Sequence, residues 1–445
     1  MRATLAANLL YYPVTRLAGE RIRPYLEEYR SHDHLSPAEL REKQSEALRR
    51  IVEHARQSVP HYKQSFAEQD KAFPSDWPEL DGFAPITKDL LRDHPEHFVS
   101  DNAPGRHERK TTSGSTGHPL TVVKNHDALA RERAATWRAY GWAGIEVAAP
   151  QGLLWGLPHS SSGRFRARAL DFLANRKRLS MFGVTEAELA EFHRKLESFR
   201  PSYLYGYVSA LVEFVRFLAE TKQMLPTSVR CLITTSELLD DTSRALLEET
   251  TGLKVYNEYG CGELGSIAHE CEQGRLHIMS DNVVVECLPA EGLPEGLGEL
   301  VVTDLHNLAM PLIRYRVGDL GRLAEEPCPC GKPYQVLDRI VGRAYDTIVG
   351  LSGKKYHPES VLYVFEDLRN DGVSLPPFQA VQSEDGKLDI RLEAEREQVN
   401  EISRLLAPRI SEAFNDDLET SFNPVAKLVR EASGKLRVVK RMIID

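Results

Sequence analysis

The chain has 445 residues, of which 42% are hydrophobic and 27% charged, and 56 basic against 65 acidic residues give a net charge of −9. That length exceeds one ordinary core and asks for two or three domains, while the acidic balance excludes a general nucleic-acid binder, whose basic face dominates its count. No apolar run reaches the roughly 20 residues needed for a bilayer-spanning helix, so no membrane span is expected.

The first stretch, MRATLAANLLYYPVTRLAGER, has a short apolar centre broken by Pro13 and Arg16. It lacks the long apolar core and small-residue cleavage site of a secretory signal. We read it as a packed helix, in preference to one that touches a membrane, and place the chain in the cytoplasm. The six cysteines are then thiols or metal ligands before they are disulfides.

Next, residues 36–70 read as helical. Ser36 is an N-cap, Pro37 takes the favoured first helical position, and Leu40, Ala47, Ile51 and Ala55 recur at helical spacing. From 110 to 345 short apolar runs alternate with helical stretches. Strands are expected at 151–156, 203–207, 231–235 and 254–256, and helices at 187–199, 209–222 and 242–251. That alternation means βαβ units and a largely parallel sheet. Beyond Glu286 the runs 300–303, 312–315 and 320–323 leave no room for long helices, so this part is a β-rich subdomain. The last hundred residues form a separate βα mix, with a hairpin at 349–356 around Ser352 and Gly353 and helices after Pro358 and over 395–414.

Five motifs carry chemistry. In TTSGSTGHP (111–119) two Thr, two Ser and two Gly follow the basic Arg106, Arg109 and Lys110. Hydroxyls and unhindered glycine amides can surround a phosphate. The loop lacks the Gly-Lys-Ser/Thr ending of a Walker A motif and precedes a strand; alone, it suits a phosphate cradle or a solvated loop. YNEYGCGELG (256–265) sets Glu258 and Glu263 beside Gly260 and Gly262 on a loop, where a carboxylate could hold Mg²⁺ between phosphates or stay solvated. In LIRYRVGDLGRL (312–323) Asp319, pinned by Gly318 between two strands, could accept the two hydroxyls of a ribose, or simply make a turn. DRIVGRAYDTIVGLSGKKYHPE (338–359) and ASGKLRVVK (432–440) complete the set.

The order and distances of these five resemble the adenylate-forming superfamily of acyl-CoA synthetases, adenylation domains and luciferases, in its phenylacetate–CoA ligase-like branch, over about residues 35–445. The resemblance implies an α/β fold: a large N-terminal adenylation domain (1–342) with parallel sheets and the β-rich subdomain, plus a small mobile α+β C-terminal domain (343–445). It implies an ATP-dependent ligase that makes an acyl-adenylate from a small-molecule carboxylic acid, releases pyrophosphate and passes the acyl group to CoA, an amine or another nucleophile. Ser113, Gly114, Ser115, Thr116 and Gly117 would hold phosphates. Ser236 and Glu237 would flank adenine, as would Glu258, Tyr259 and Gly260. Tyr205, Gly206, Tyr207 and Tyr256 would line the acyl pocket. Glu263 would bind Mg²⁺, Asp319 the ribose, and Arg343 the ribose or phosphate. Asp346 would be the hinge, Lys435 the catalytic lysine with Lys440 as its substitute, and Gly353, Lys354 and Lys355 a hairpin facing the site after the domain swings. Some relatives dimerise, which makes a homodimer the oligomer to expect. Two positions depart from the family: His118 stands where Lys is common, and Cys261-Gly262 precedes the motif Glu without the usual Thr. A non-catalytic nucleotide-binding member acting through a partner is the alternative these departures leave.

Cysteine spacing adds a metal site. Cys271 and His277 form C-x5-H, and Cys328 and Cys330 form C-P-C about fifty residues on. Three thiolates and an imidazole can complete a tetrahedral zinc site. Its role would be structural, a staple between the β-rich subdomain and the Tyr256 loop, with Cys261 and His269 as substitute ligands.

Overall fold

The computed structural model describes residues 3–67, 75–112, 120–155, 170–180, 184–237, 239, 241–289, 296–341, 348–356, 359–428 and 439–441. Ser36 caps the helix Pro37–Ser58 as its sequence demands. Its side chain accepts from the Glu39 amide, while the Glu39 carboxylate accepts from the Ser36 amide. Pro60 then restarts the helix as Pro60–Ala67. A second capping box, Thr185 with Glu188, opens the helix Glu186–Phe199.

The strands, in chain order, are β1 His107–Thr112, β2 Leu120–Asn125, β3 Gln151–Trp155, β4 Arg176–Ser180, β5 Tyr203–Tyr207, β6 Cys231–Thr235 and β7 Lys254–Cys261, then β8 Gly265–Glu270, β9 Leu276–Ile278, β10 Val283–Pro289, β11 Gly298–Asp304, β12 Tyr315–Leu323 and β13 Val336–Val341. β1 and β2 pair with each other, antiparallel, as a separate two-stranded sheet. The other eleven form one sheet in the order β10-β11-β12-β13-β9-β8-β7-β6-β5-β3-β4. From β4 to β7 every neighbour is parallel; from β7 to β10 every neighbour is antiparallel. The βαβ half and the β-rich half expected as separate parts thus share one sheet, and β7 is the seam between them.

Apolar burial explains the layers. β6 is buried along its whole length, as a parallel strand covered on both faces must be. Helices Glu186–Phe199 and Val208–Glu220 pack Phe192, Leu196, Leu211 and Phe214 on this half, and Leu48, Ile51 and Ala55 of Pro37–Ser58 pack on the antiparallel half. Residues from Ile348 onward gather a core of their own, including Phe365, Phe378, Ile390 and Phe414. They build the hairpin β14 Ile348–Val349 and β15 Lys355–Tyr356, helices Glu359–Asn370 and Arg396–Phe414, and a four-stranded sheet from β16 Phe378–Glu384, β17 Lys387–Leu392, β18 Glu419–Pro424 and β19 Val439–Arg441. Among the described residues no helix is long and apolar enough to cross a membrane.

Two expectations change in detail. The stretch after Tyr256 is not a loop: β7 continues through Cys261 and turns into β8. The separate runs 312–315 and 320–323 are not two strands: β12 runs unbroken from Tyr315 to Leu323, and Asp319 lies within it.

Candidate active site

Bulges aim the key side chains. Against β11, Glu299 pairs with Leu320 but Val301 pairs with Arg316, so Val317, Gly318 and Asp319 bulge out of register. Gly318 supplies the left-handed φ of +86° that this excursion requires. A second shift falls between Tyr259 and Gly260 on β7. A Cβ on Gly260 would meet the Gly265 carbonyl at 2.3 Å. β7 and β12 stand four places apart in the strand order, about 19 Å along a flat sheet. Yet Tyr259 OH donates to Asp319 Oδ2 at 2.8 Å. The sheet therefore curls until its seam strand and its outlying bulge face each other.

The turn between β7 and β8 carries Glu263, nearly buried, with Lys88 Nζ 2.8 Å from its Oε1. Lys88 begins a short helix capped by Thr87, and Ile86 bridges Tyr315 at the start of β12, which brings this distant segment in. The thiol of Cys261 is pushed up chiefly by burial, with Glu263 and Asp319 adding and Lys88 opposing; all four groups share one neighbourhood. Beneath them lies a pair that the sequence did not suggest. Lys124 Nζ on β2 is 2.8 Å from Glu132 Oε2. Burial works against both charges, yet their attraction leaves the lysine above and the carboxylate below its ordinary value. Gly265 permits the approach, since a Cβ there would lie 2.2 Å from the Glu132 carboxyl carbon.

The acyl-pocket candidates lie across the seam. Trp155 stacks on Tyr205 with ring centres 5.9 Å apart and tilts against Tyr207 at 4.2 Å. Gly206 lets β3 close in, as a Cβ would meet the Leu154 carbonyl at 2.6 Å. Glu258 turns toward these aromatics: Tyr140 OH donates to its Oε2 at 3.1 Å. Burial pushes its carboxyl up to about 7, against the lowering effect of the Tyr140 and Tyr205 hydroxyls. Tyr256 is half-buried beside them. Ser236 holds a left-handed φ of 66°, a strained conformation of the kind that gathers at functional sites. Glu237 works as a helix cap: its carboxylate accepts from the Ser209 amide at 2.6 Å and the Ser209 hydroxyl at 2.8 Å. On the C-terminal hairpin Lys354 Nζ reaches Glu213 Oε1 at 2.5 Å, and Lys440 lies in β19. Ser113, Gly114, Ser115, Thr116, Gly117, His118, Arg343, Asp346 and Lys435 lie outside the described residues.

The four metal-ligand candidates come together. One donor atom from each of Cys271, His277, Cys328 and Cys330 lies within 4.8 Å of the others. Cys271 Sγ is 3.7 Å from Cys328 Sγ, and Cys330 Sγ is 3.2 Å from His277 Nε2. His277 Nδ1 is 3.3 Å from the Tyr334 carbonyl. That oxygen only accepts, so Nδ1 carries the proton and Nε2 keeps a lone pair toward the thiols. Burial pushes the thiols of Cys271 and Cys330 up, but at the fully buried Cys271 the His277 ring and the Gln273 and Arg275 amides outweigh it and leave that thiol below its ordinary value. Of the substitute ligands, His269 instead contacts Ser266 Oγ at 2.5 Å, and Cys261 sits by Glu263.

No family model matches the chain. It is 27% identical to a phenylacetate–coenzyme A ligase of Thermus thermophilus over 444 residues, covering 90% of this chain and 96% of that one. A phenylacetate–coenzyme A ligase of Aromatoleum evansii is 29% identical over 378 residues, covering 80% and 81%. A solved 2-hydroxyisobutyryl-CoA ligase, in complex with 2-HIB-AMP and CoA in the thioesterification state, superposes with a TM-score of 0.61 at 19% identity, covering 92% of each chain. That likeness establishes the fold.

Proposed function

We propose, for a chain that belongs to the adenylate-forming superfamily in its phenylacetate–CoA ligase-like branch, that it activates a carboxylic acid with ATP and transfers the acyl group to CoA. The observation that carries this reading is the Tyr259–Asp319 contact near Glu263, with Lys88 held at Glu263 and Lys124 at Glu132.

Each residue has a task. Asp319, held in place by the Tyr259 hydroxyl, would accept the ribose hydroxyls. Tyr259 would also flank the base, with Ser236 shaping the opposite wall. Glu237 would act indirectly, by fixing the start of the helix Val208–Glu220. Glu258 would belong to the acyl pocket with Tyr205, Tyr207 and Tyr256. Its carboxyl, protonated for part of the time near neutrality, could donate to a polar group of the acid. Ser113–Gly117 would wrap the phosphates.

Glu263 fits Mg²⁺, which uses one or two carboxylates together with substrate phosphates; Lys88 would share that carboxylate. When bound, Mg²⁺ neutralises charge on the phosphate oxygens. A carboxylate oxygen of the acid forms a bond to the α-phosphorus while the bond from that phosphorus to the bridging oxygen breaks, and pyrophosphate leaves. Lys435 would stabilise the negative charge that builds on the α-phosphate in this step. The CoA thiol then attacks the acyl carbon, loses its proton and expels AMP, after residues 343–445 swing about Asp346. An amine could replace the thiol with the same atom balance.

A zinc ion at Cys271, His277, Cys328 and Cys330 would be structural, since four protein donors leave no open position for chemistry. The reading is tested by ATP–pyrophosphate exchange against aromatic, aliphatic, amino and sugar acids. Exchange driven by one class supports it and names the acid. Absence of exchange across the panel, in protein that binds ATP, refutes it for those classes.

A further inference from the structure

The amino-terminal helical segment carries a face that the ligase chemistry leaves unused. Ala3–Ala6, Ala7–Tyr11 and Tyr12–Leu17 follow one another without a break, and the middle piece is π-wound. Its inner side is packed: Ala6 and Ala7 are buried, and Trp137 Nε1 donates to Tyr11 OH at 2.7 Å. Its outer side is open. Leu5 is 51% exposed, Leu9 65% and Leu17 81%, with Val14 beside them. A four-residue spacing drifts around an α-helix, but the wider π turn offsets that drift and keeps the leucines on one side.

The segment is also basic in sequence. The first 25 residues hold Arg2, Arg16, Arg21 and Arg23 and a single acid, Glu20, in a chain whose net charge is −9. Glu20 is buried and held by Arg133 Nε at 2.6 Å, so it answers none of them. Arg16 and Arg21 have no carboxylate partner among the described residues. Arg16, Arg21 and Arg23 line a cavity of about 360 Å³ together with Asn8, Tyr12, Pro13 and the Arg133-bound Glu20.

We propose that this face docks on an anionic lipid bilayer, with the helix lying in the interface, its leucines among the acyl chains and its arginines at the lipid phosphates. A second copy is the weaker occupant. Docked through the same face, it would set Arg16 and Arg21 against their own copies, while Glu27 is already taken up by Arg23 at 3.4 Å. The packing of the inner side and the docking of the outer side are compatible, because they use different residues.

The test is flotation of the full chain with vesicles of phosphatidylcholine alone and of phosphatidylcholine mixed with phosphatidylglycerol. The protein should float with the mixed vesicles and not with the neutral ones, and added salt should weaken the effect. Leu9→Glu and Leu17→Glu should each lower the bound fraction about tenfold or more, and Arg16→Gln and Arg21→Gln about fivefold each. Unchanged circular dichroism and melting temperature would show that these exposed substitutions leave the fold intact. No flotation with anionic vesicles, or flotation indifferent to the leucine variants, overturns the proposal. So does a dimer in sedimentation that Leu9→Glu dissociates, which would give the face to a second copy. None of these outcomes depends on how the ATP site is read.

Discussion

Glu258→Gln should stabilise the protein, and by more at pH 8 than at pH 5. Burial pushes the Glu258 carboxyl up to about 7, from an ordinary value of 4.5. Below pH 4.5 the group is protonated in both folded and unfolded chains and costs nothing. As pH rises the unfolded chain loses its proton first, while the folded chain keeps it until about pH 7, so stability falls across that window. The gap corresponds to about 3 kcal/mol at pH 8, of which about 2.5 kcal/mol develops between pH 5 and pH 8. Glutamine keeps the acceptor for Tyr140 OH and has no charge to desolvate. Scanning calorimetry of both proteins at both pH values reads the difference, and taking mutant minus wild type cancels every other titrating group. For a domain of this size the gain should be about 5 °C at pH 8 and a degree or two at pH 5. Equal shifts at the two pH values, or a loss at pH 8, would refute the argument. Either would mean that the Tyr140 and Tyr205 hydroxyls favour the ionised carboxylate by at least as much as burial disfavours it, the reverse of the balance in which burial dominates.

Asp319→Ala should weaken ATP binding about 10- to 100-fold by calorimetric titration, the worth of hydrogen bonds to a charged acceptor; unchanged affinity would remove Asp319 from the ribose. Lys435→Ala should lower ATP–pyrophosphate exchange about 100-fold or more while ATP still binds, as expected of a group that acts on developing charge, and normal exchange in that variant would reassign the lysine. Cys328→Ser should take the zinc content from about one equivalent per chain to nearly none. Metal measured on purified protein decides this, and an unchanged content would refute the proposed quartet.

The parallel half was the most legible part of the chain. β5 and β6 lie where their apolar runs put them, and Ser36 caps as its spacing requires, because local pattern and tertiary environment agree there. The cysteine–histidine quartet was legible for a different reason. Its residue types are rare, and their pairing needs only proximity, which the curled sheet provides. Reading stopped where the backbone leaves its period. Gly260 and Gly262 signal a loop, and Gly262 does lie in the turn, yet Gly260 serves inside the strand to let β7 and β8 approach closely. Asp319 looks like a turn residue because Gly318 precedes it, but the pair forms a bulge inside one strand. Lys88 and Lys124 had no local signature at all. Each is an ordinary lysine until the fold sets it against Glu263 or Glu132.

The eleven-stranded sheet is continuous but not equally strong along its width. Among the described residues, the meander β10–β13 pairs with the remaining strands through β13 and β9, by the pairs Val336 with His277 and Leu337 with Leu276, extended by the bond from the Ile278 amide to the Gln335 carbonyl. The cysteine–histidine cluster lies across this narrow joint: His277 is on β9, and Cys328 and Cys330 are on the segment that enters β13. Folding order follows from that arrangement. The meander pairs through near neighbours in the chain, which favours early closure, whereas the joint brings together segments about sixty residues apart. A clip placed there ties the pairing of longest chain separation in the sheet, so its chief effect is expected on how long the assembled sheet lasts before it parts, more than on how fast the halves form.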